Sequence, residues 1–499
     1  MVYHATRQRG QVGRARGVVG AMTRSALSTS VTIAAIATGP SIGAVGIVRV
    51  SGPAVTQLIA QVCRTTLRPR QAQVCRFYNV AGQPVDHGIA IFFPAPHSYT
   101  GEDVLELQGH GGIAVLQSVL HACLAQNSPE SPIRLAEPGE FTKRAFLNHK
   151  LDLLQAQAVA DLIEAGSQQA VRAAVASLTG GFSRAVQSLQ HALTEVRMRV
   201  EACLDFPEED DVDLLSEQAI DQRLRDLRRV LAATLQAATR GVALKQGLKI
   251  ALIGPPNVGK SSLLNALAEE EVAIVTPIAG TTRDRITQEI YIEGLRVEIM
   301  DTAGIRETLD PVEQAGVTRS WQAIDAADLV LFLVDVSQPR DAMSAADRML
   351  VSAVIQRLAQ GDDKDAQASG VQRRGRPLWH VYTKVDLLSE LPPAADEGDF
   401  WLSAKTGVGL DRLRDALKSA AGLSGASEGD VFSARTWHVE TLHRVGDCLQ
   451  RAQAHLSLEE LELLAEQLRL AQKLLSELTG ELLPDDLLGV IFSQFCIGK

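Results

Sequence analysis

Between positions 254 and 261 the chain reads Gly254-Pro255-Pro256-Asn257-Val258-Gly259-Lys260-Ser261. Two glycines and a Lys-Ser pair at this spacing let backbone N–H groups close around phosphate oxygens. An apolar run, Leu248 to Ile253, precedes the segment, and a helical pattern from Ser262 to Leu267 follows it. The pattern predicts a strand, a loop and a helix whose N-terminus favours an anion. Lys260 is expected to reach the outer phosphates of a nucleotide, and Ser261 to hold magnesium.

Four more motifs follow in order: Gly280-Thr281-Thr282-Arg283-Asp284, Asp301-Thr302-Ala303-Gly304, Thr383-Lys384-Val385-Asp386 and Ser403-Ala404-Lys405. That order predicts a GTPase. Thr282 is the candidate second hydroxyl on magnesium, within reach only when the γ-phosphate orders its loop. Asp301 ends a strand running from Arg296 to Met300 and is the candidate carboxylate beside the metal. Gly304 can offer its N–H to the γ-phosphate without a side chain in the way. Asp386 can accept two hydrogen bonds from the guanine edge, which adenine cannot donate, and Lys384 is expected to lie along the base. Position 383 usually holds Asn in such proteins. Thr383 has a hydroxyl but no amide, so a modest loss of affinity is expected with the choice of nucleotide unchanged.

Ras-like GTPases orient water with a Gln shortly after the D-x-x-G motif. Here Ile305-Arg306-Glu307 follow Gly304, so that role is vacant. Asn257, beneath the Gly280–Asp284 loop, could hold a monovalent cation against the phosphates and stabilise transition-state charge. It could equally serve only to cap its loop, and the loop sequence leaves both readings open.

The elements that must position these residues fit within about 247–422, and the flanks call for further domains. Residues 31–150 alternate short β-like runs, such as Val45 to Val50 and Val104 to Leu107, with glycine turns; they read as an α+β domain. From 151 to 246 the pattern turns helical, with Val186, Leu189, Leu193, Val196 and Val200 on one face. It is helical again within 423–499, where leucines recur at 456, 458, 461, 463, 464, 468 and 470. Neither half has a core of its own, so the two are expected to pack together with the α/β GTPase domain inserted between them. Residues 361–376 read as a surface loop.

With 46% apolar and 22% charged residues the composition is that of a globular protein. The net charge of −10 argues against a surface that coats nucleic acid generally. Six scattered cysteines without metal-ligand spacing fit a reducing compartment. Residues 1–30 carry five arginines and no Asp, Glu or Lys, the composition of an organelle transit peptide. A disordered extension, or a true start at Met22, is favoured because nothing else in the chain needs the segment. A cytoplasmic protein without a membrane span is expected over an organellar one.

From about residue 32 onward the chain resembles the tRNA modification GTPase MnmE (TrmE) family. The resemblance rests on Val45-Gly46-Ile47-Val48-Arg49-Val50-Ser51-Gly52, Ser98-Tyr99-Thr100-Gly101-Glu102-Asp103 through Gly112, Pro138-Gly139-Glu140-Phe141 through Leu153, and Phe495-Cys496-Ile497-Gly498-Lys499. Thr383, the 361–376 loop and the N-terminal extension depart from the pattern.

The resemblance implies a homodimer held by the N-terminal domain, which would bind 5-formyltetrahydrofolate or a related tetrahydrofolate as one-carbon donor. It implies work with an FAD- and NADH-dependent partner, MnmG, as a heterotetramer. Together they would add a carboxymethylaminomethyl or aminomethyl group to carbon 5 of the tRNA wobble uridine. GTP hydrolysis would need Mg2+, be stimulated by K+, and accompany dimerisation of the GTPase domains.

Residue by residue, Asn257 matches the potassium ligand, helped by Thr276, Ile278 and Thr281. Ser261 and Thr282 match the magnesium hydroxyls, and Val258, Ser262, Pro277 and Ala279 fill out the nucleotide-binding positions. Glu313, twelve residues after Asp301, matches the glutamate that positions water; its spacing alone suggests only a solvated cap. Arg306 is implied to help order the switch. Arg49, Glu106, Lys150 and Lys499 match the folate contacts, although by residue type alone they read as surface ion pairs. Cys496 is either a nucleophile on a one-carbon unit or a small buried residue. Two other readings compete: a switch whose GTP state only controls assembly, and a ribosome-assembly GTPase, which the acidic helical body and the folate-like set disfavour.

Overall fold

A computed structural model describes residues 31–39, 41–205, 217–255, 257–268, 287–301, 321–337, 352–356, 377–388, 398–423, 431–457, 460–480, 485–493, 495 and 498. They form two compact units, Met1–Lys150 with Leu488–Lys499, and Leu151–Leu487. Phe495 and Gly498, the described residues of the C-terminal motif, fall in the first of these units.

The first unit is built on β1 (Thr32–Ile36), β2 (Val45–Ser51), β3 (Gln73–Tyr78), β4 (Pro84–Phe93), β5 (Val104–His110) and β6 (Ile133–Leu135). They form one sheet in the order β3-β4-β5-β2-β1-β6. Its pairs are antiparallel except β1–β6. Strand alternation sends Val48 and Val50 into the core and leaves Arg49 between them on the other face. The helix Ile113–Leu124 covers the core face with Leu116, Val119, Leu120 and Cys123. On β2, a Cβ at Gly46 would come within 2.6 Å of the Leu116 side chain, which would have to move aside.

Arg144, 2% exposed, sits between two carboxylates. It donates to Glu102 at 2.9 Å and to Glu140 at 2.9 Å, and Arg134 also holds Glu140. Burial pushes the Glu140 carboxyl up, but Arg134, the Glu137 N–H and Arg144 outweigh it and hold it below its usual 4.5. The stability that Glu140 contributes is thus complete above about pH 4.5 and is lost as pH falls through the lowered value. Arg144→Met leaves Glu102 without its guanidinium partner and Glu140 with Arg134 alone, and is expected to destabilise the protein by about 3–5 kcal/mol. Urea midpoints at pH 7 check this, and a midpoint equal to the wild type's would remove the network from the account of this fold.

In the second unit, one core joins the two helical stretches. Val186, Leu189, Leu193, Val196 and Val200 of the helix Gly181–Asp205 pack with Leu224, Leu227 and Leu231 of the helix Glu217–Gln246. Leu442, Val445 and Leu449 of Thr436–Leu456, and Leu464, Leu468 and Leu475 of Leu461–Thr479, complete it. The leucine-rich tail is not buried throughout: Leu463 and Leu470 are exposed because they fall off the inward stripe.

The inserted domain is a sheet of β7 (Leu248–Ile253), β8 (Thr287–Ile292), β9 (Leu295–Asp301), β10 (Leu329–Asp335), β11 (Leu378–Thr383) and β12 (Asp399–Trp401). The order is β12-β11-β10-β7-β9-β8, parallel except for the β8–β9 hairpin. Strand β10 is an unbroken apolar run up to Asp335, as a strand covered on both faces requires.

Both chain crossings into this domain are tied to Asp161 of the helix Leu153–Glu164. Lys245, where the chain enters, pairs with it, and Ser433, where the chain returns, donates to it at 2.5 Å. The hairpin docks on the helical body where a Cβ at Gly166 would lie 1.8 Å from the Tyr291 hydroxyl.

Candidate functional site

The strand order of the inserted sheet turns at β7, whose neighbours are β9 and β10. Open α/β sheets bind ligands at the carboxyl ends of strands beside such a point. There the chain leaves β7 through Gly254, passes Asn257 and Gly259 at φ of 63° and 105°, and enters the helix Lys260–Ala268. Glycine takes the left-handed region freely and Asn more readily than other residues. Val258 is buried, whereas Asn257, Ser261 and Ser262 are exposed. The Lys260 ammonium folds back over the loop and donates to the Gly254 carbonyl at 2.7 Å. Two exposed serines, a lysine and the N–H groups of a helix start are thus gathered at one loop, a set that suits a polyphosphate.

The other motifs come to the same edge. Thr383 ends β11, and Lys384 follows at φ 63° before the short turn Val385–Leu387. The Lys384 ammonium lies 2.5 Å from the Asp335 carboxylate at the end of β10. Burial raises the Asp335 carboxyl, but hydrogen bonds from Lys384 and Ser337 bring it below its ordinary value, so it stays ionised as the lysine's partner. Asp335 was missed in the sequence; its signal was an acidic residue closing the apolar run of β10. Asp386 is exposed and accepts from the Ser403 hydroxyl at 2.6 Å. Ser403 in turn accepts from the N–H groups of Lys405 and Thr406 at 3.3 Å each. This fastens the Ser403-Ala404-Lys405 loop to the carboxylate expected to read the base.

Asp301 is placed through its backbone, paired with Leu252 of β7. Thr276, Pro277, Ile278, Ala279, Gly280, Thr281, Thr282, Thr302, Ala303, Gly304, Arg306 and Glu313 lie outside the described residues, as do Cys496 and Lys499. The loop expected over 361–376 lies outside them too.

In the first unit, Arg49 on β2 stands opposite Glu106 on β5. Their side chains form an ion pair at 2.8 Å. The Arg49 guanidinium also donates to the carbonyl of Gly498 at 3.3 Å. Its carbon lies 5.6 Å from the ring centre of Tyr99 and 5.9 Å from that of Phe141. A cation between aromatic rings is held by their quadrupoles as well as by Glu106. Tyr99 and Phe141 belong to the motifs that carried the resemblance, but residue spacing gave no reason to bring them to Arg49. Lys150 takes another direction and places its ammonium 2.9 Å from the Pro96 carbonyl.

Among the described residues no group of His, Cys, Asp and Glu side chains could hold a metal ion, and no helix is long and apolar enough to cross a membrane.

The family model for the GTP-binding protein TrmE N-terminus matches residues 32–150, and that for the MnmE helical domain matches residues 153–496. The tRNA modification GTPase MnmE of Polaromonas sp. (strain JS666 / ATCC BAA-500) is 49% identical over 478 residues, covering 94% of this chain and 98% of the relative. That of Acidovorax sp. (strain JS42) is 49% identical over 473 residues, with the same coverage of 94% and 98%. With the phosphate loop at the switch point, the base-side loop fastened to Asp386, and both flanking domains matched over nearly the whole length, the chain belongs to the MnmE (TrmE) family of tRNA modification GTPases.

Proposed function

We propose that this chain binds and hydrolyses GTP and uses that cycle in the modification of tRNA. The observation that carries the reading is the convergence of Gly254–Ser261, Lys384–Asp386 and Ser403–Lys405 on one edge of the inserted sheet. Asp386 reads the guanine, and Lys260 with the loop N–H groups holds the phosphates. Magnesium fits the oxygen donors Ser261, Thr282 and Asp301, and when bound it neutralises charge developing on the phosphates. Potassium is assigned to Asn257 with Thr276, Ile278 and Thr281; the exposed Asn257 side chain at the loop supports this. Glu313 orients the attacking water through a bridging water, and Arg306 helps order the switch.

The finer reading puts a tetrahydrofolate one-carbon donor beside Arg49, Glu106, Lys150 and Lys499. The Arg49–Glu106 pair beside two aromatic rings supports a pterin ring flanked by glutamate carboxylates. A homodimer, an FAD- and NADH-dependent MnmG partner and the wobble uridine complete the scheme. The test is nucleoside analysis of tRNA from cells lacking the gene and complemented with variants. Arg49→Ala is expected to abolish folate binding and the 5-substituted uridine while GTP hydrolysis continues, and Cys496→Ser or Lys499→Ala to lose product likewise. If these variants keep full modification, the chain acts only as a GTP-controlled switch.

A further inference from the structure

Thr383 stands where GTPases of this pattern usually carry Asn, and the structure gives its hydroxyl a specific task. Its Oγ1 donates to the carbonyl of Val258 at 2.6 Å, across 125 residues of chain. The carbonyl of Val334 lies farther off, at 3.3 Å. Thr383 is 3% exposed and Val258 1% exposed, so water does not compete for this bond. The residue is fixed from the other side as well: it pairs with Asp335 in the β10–β11 register, and its carbonyl accepts from Val336 at 3.2 Å. Across the gap, a Cβ built at Gly259 would lie 3.9 Å from Thr383, an ordinary van der Waals separation, so the hydrogen bond to Val258 is the direct tie between Thr383 and the phosphate loop.

We infer that Thr383 is a positioning residue that props the Val258–Gly259 peptide of the phosphate loop, and that it takes no part in reading the base. A threonine hydroxyl carries a single proton. Here that proton is on Val258, which leaves none for an acceptor on guanine. Base selection then falls to Asp386 and its Ser403 partner. Residue 383 acts on affinity instead, by holding the left-handed turn between Asn257 and Gly259 in the shape that a nucleotide needs. Without the prop, the Val258 carbonyl lacks its donor, the empty loop relaxes, and binding must restore the geometry at a cost.

The inference rests on the GTP site proposed above and is separable from it. Equilibrium binding of fluorescent GDP to the full-length protein is measured for the wild type, Thr383→Val and Thr383→Ser. Thr383→Val keeps the shape and removes the donor; it is expected to weaken GDP binding about ten- to hundred-fold. The ratio of GDP to ADP affinity is expected to stay that of the wild type. Thr383→Ser restores the hydroxyl and is expected to recover affinity to within about threefold, which separates the lost donor from misfolding. Wild type and Thr383→Val are each expected to bind 7-deaza-GDP relative to GDP in the same ratio. Unchanged GDP affinity in Thr383→Val overturns the prop. So does a wild-type preference for GDP over 7-deaza-GDP that the valine variant loses, since the hydroxyl would then face the base. A wild type that binds no guanine nucleotide overturns the GTP site itself.

Discussion

Asp386→Asn is expected to weaken GTP binding by about 10²–10⁴-fold. The two hydrogen bonds from guanine to an ionised carboxylate contribute about 1.5–3 kcal/mol each, and about 1.4 kcal/mol is tenfold in affinity. The change is also repulsive, because an asparagine N–H2 faces guanine N–H donors with nothing to accept it. Xanthosine triphosphate carries a carbonyl where guanine has its amino group, so it is expected to bind the variant better than GTP does. Local structure should survive, since the Ser403 hydroxyl, 2.6 Å from the carboxylate, can donate to an amide oxygen as well. Titration of the two nucleotides against wild type and variant is the measurement. A GTP affinity within threefold of wild type would mean that the base is read elsewhere, and the convergence of motifs on this edge would lose its functional meaning.

The second large effect concerns the cation. Hydrolysis is expected to be at least about tenfold faster in potassium than in sodium at equal ionic strength, because a fixed positive charge at the phosphates stabilises the transition state where an arginine finger otherwise would. Removing the Asn257 side chain is expected to erase that advantage. The choice of variant follows from the backbone: at φ 63°, Asn257→Ala adds left-handed strain of about 1–2 kcal/mol to the loss of the ligand. Asn257→Gly removes the ligand without that strain and is the cleaner comparison. Both variants should run at the same rate in the two salts. Glu313→Ala, measured alongside, is expected to lose turnover while GTP binding stays intact. Equal wild-type rates in potassium and sodium would withdraw the cation from Asn257, and with it the assignments of Thr276, Ile278 and Thr281. Equal losses of binding and turnover in Glu313→Ala would remove its role in orienting water.

The sequence alone determined the nucleotide-binding domain, because phosphate recognition is local. Gly254 to Ser261 makes its loop from consecutive residues, and the strand before and helix after it show in the same stretch. Helical periodicity likewise marked Val186 through Val200 as one buried face. The leucines recurring through the tail marked it as helical without saying which of them are buried, and Leu463 and Leu470 face solvent.

What only the tertiary structure decided were bonds between groups far apart in the chain. Lys245 and Ser433 meet on Asp161 from the two crossings of the inserted domain. Arg49 reaches the carbonyl of Gly498 and lies between Tyr99 and Phe141. Thr383 read as a weakened base contact, whereas folded it supports the phosphate loop. The physical reason is common to all three. A side chain's type limits how many protons or charges it can offer, and that much is written in the sequence. Which acceptor takes them depends on the packing that brings groups far apart in the chain within hydrogen-bond distance, and periodicity carries no information about that.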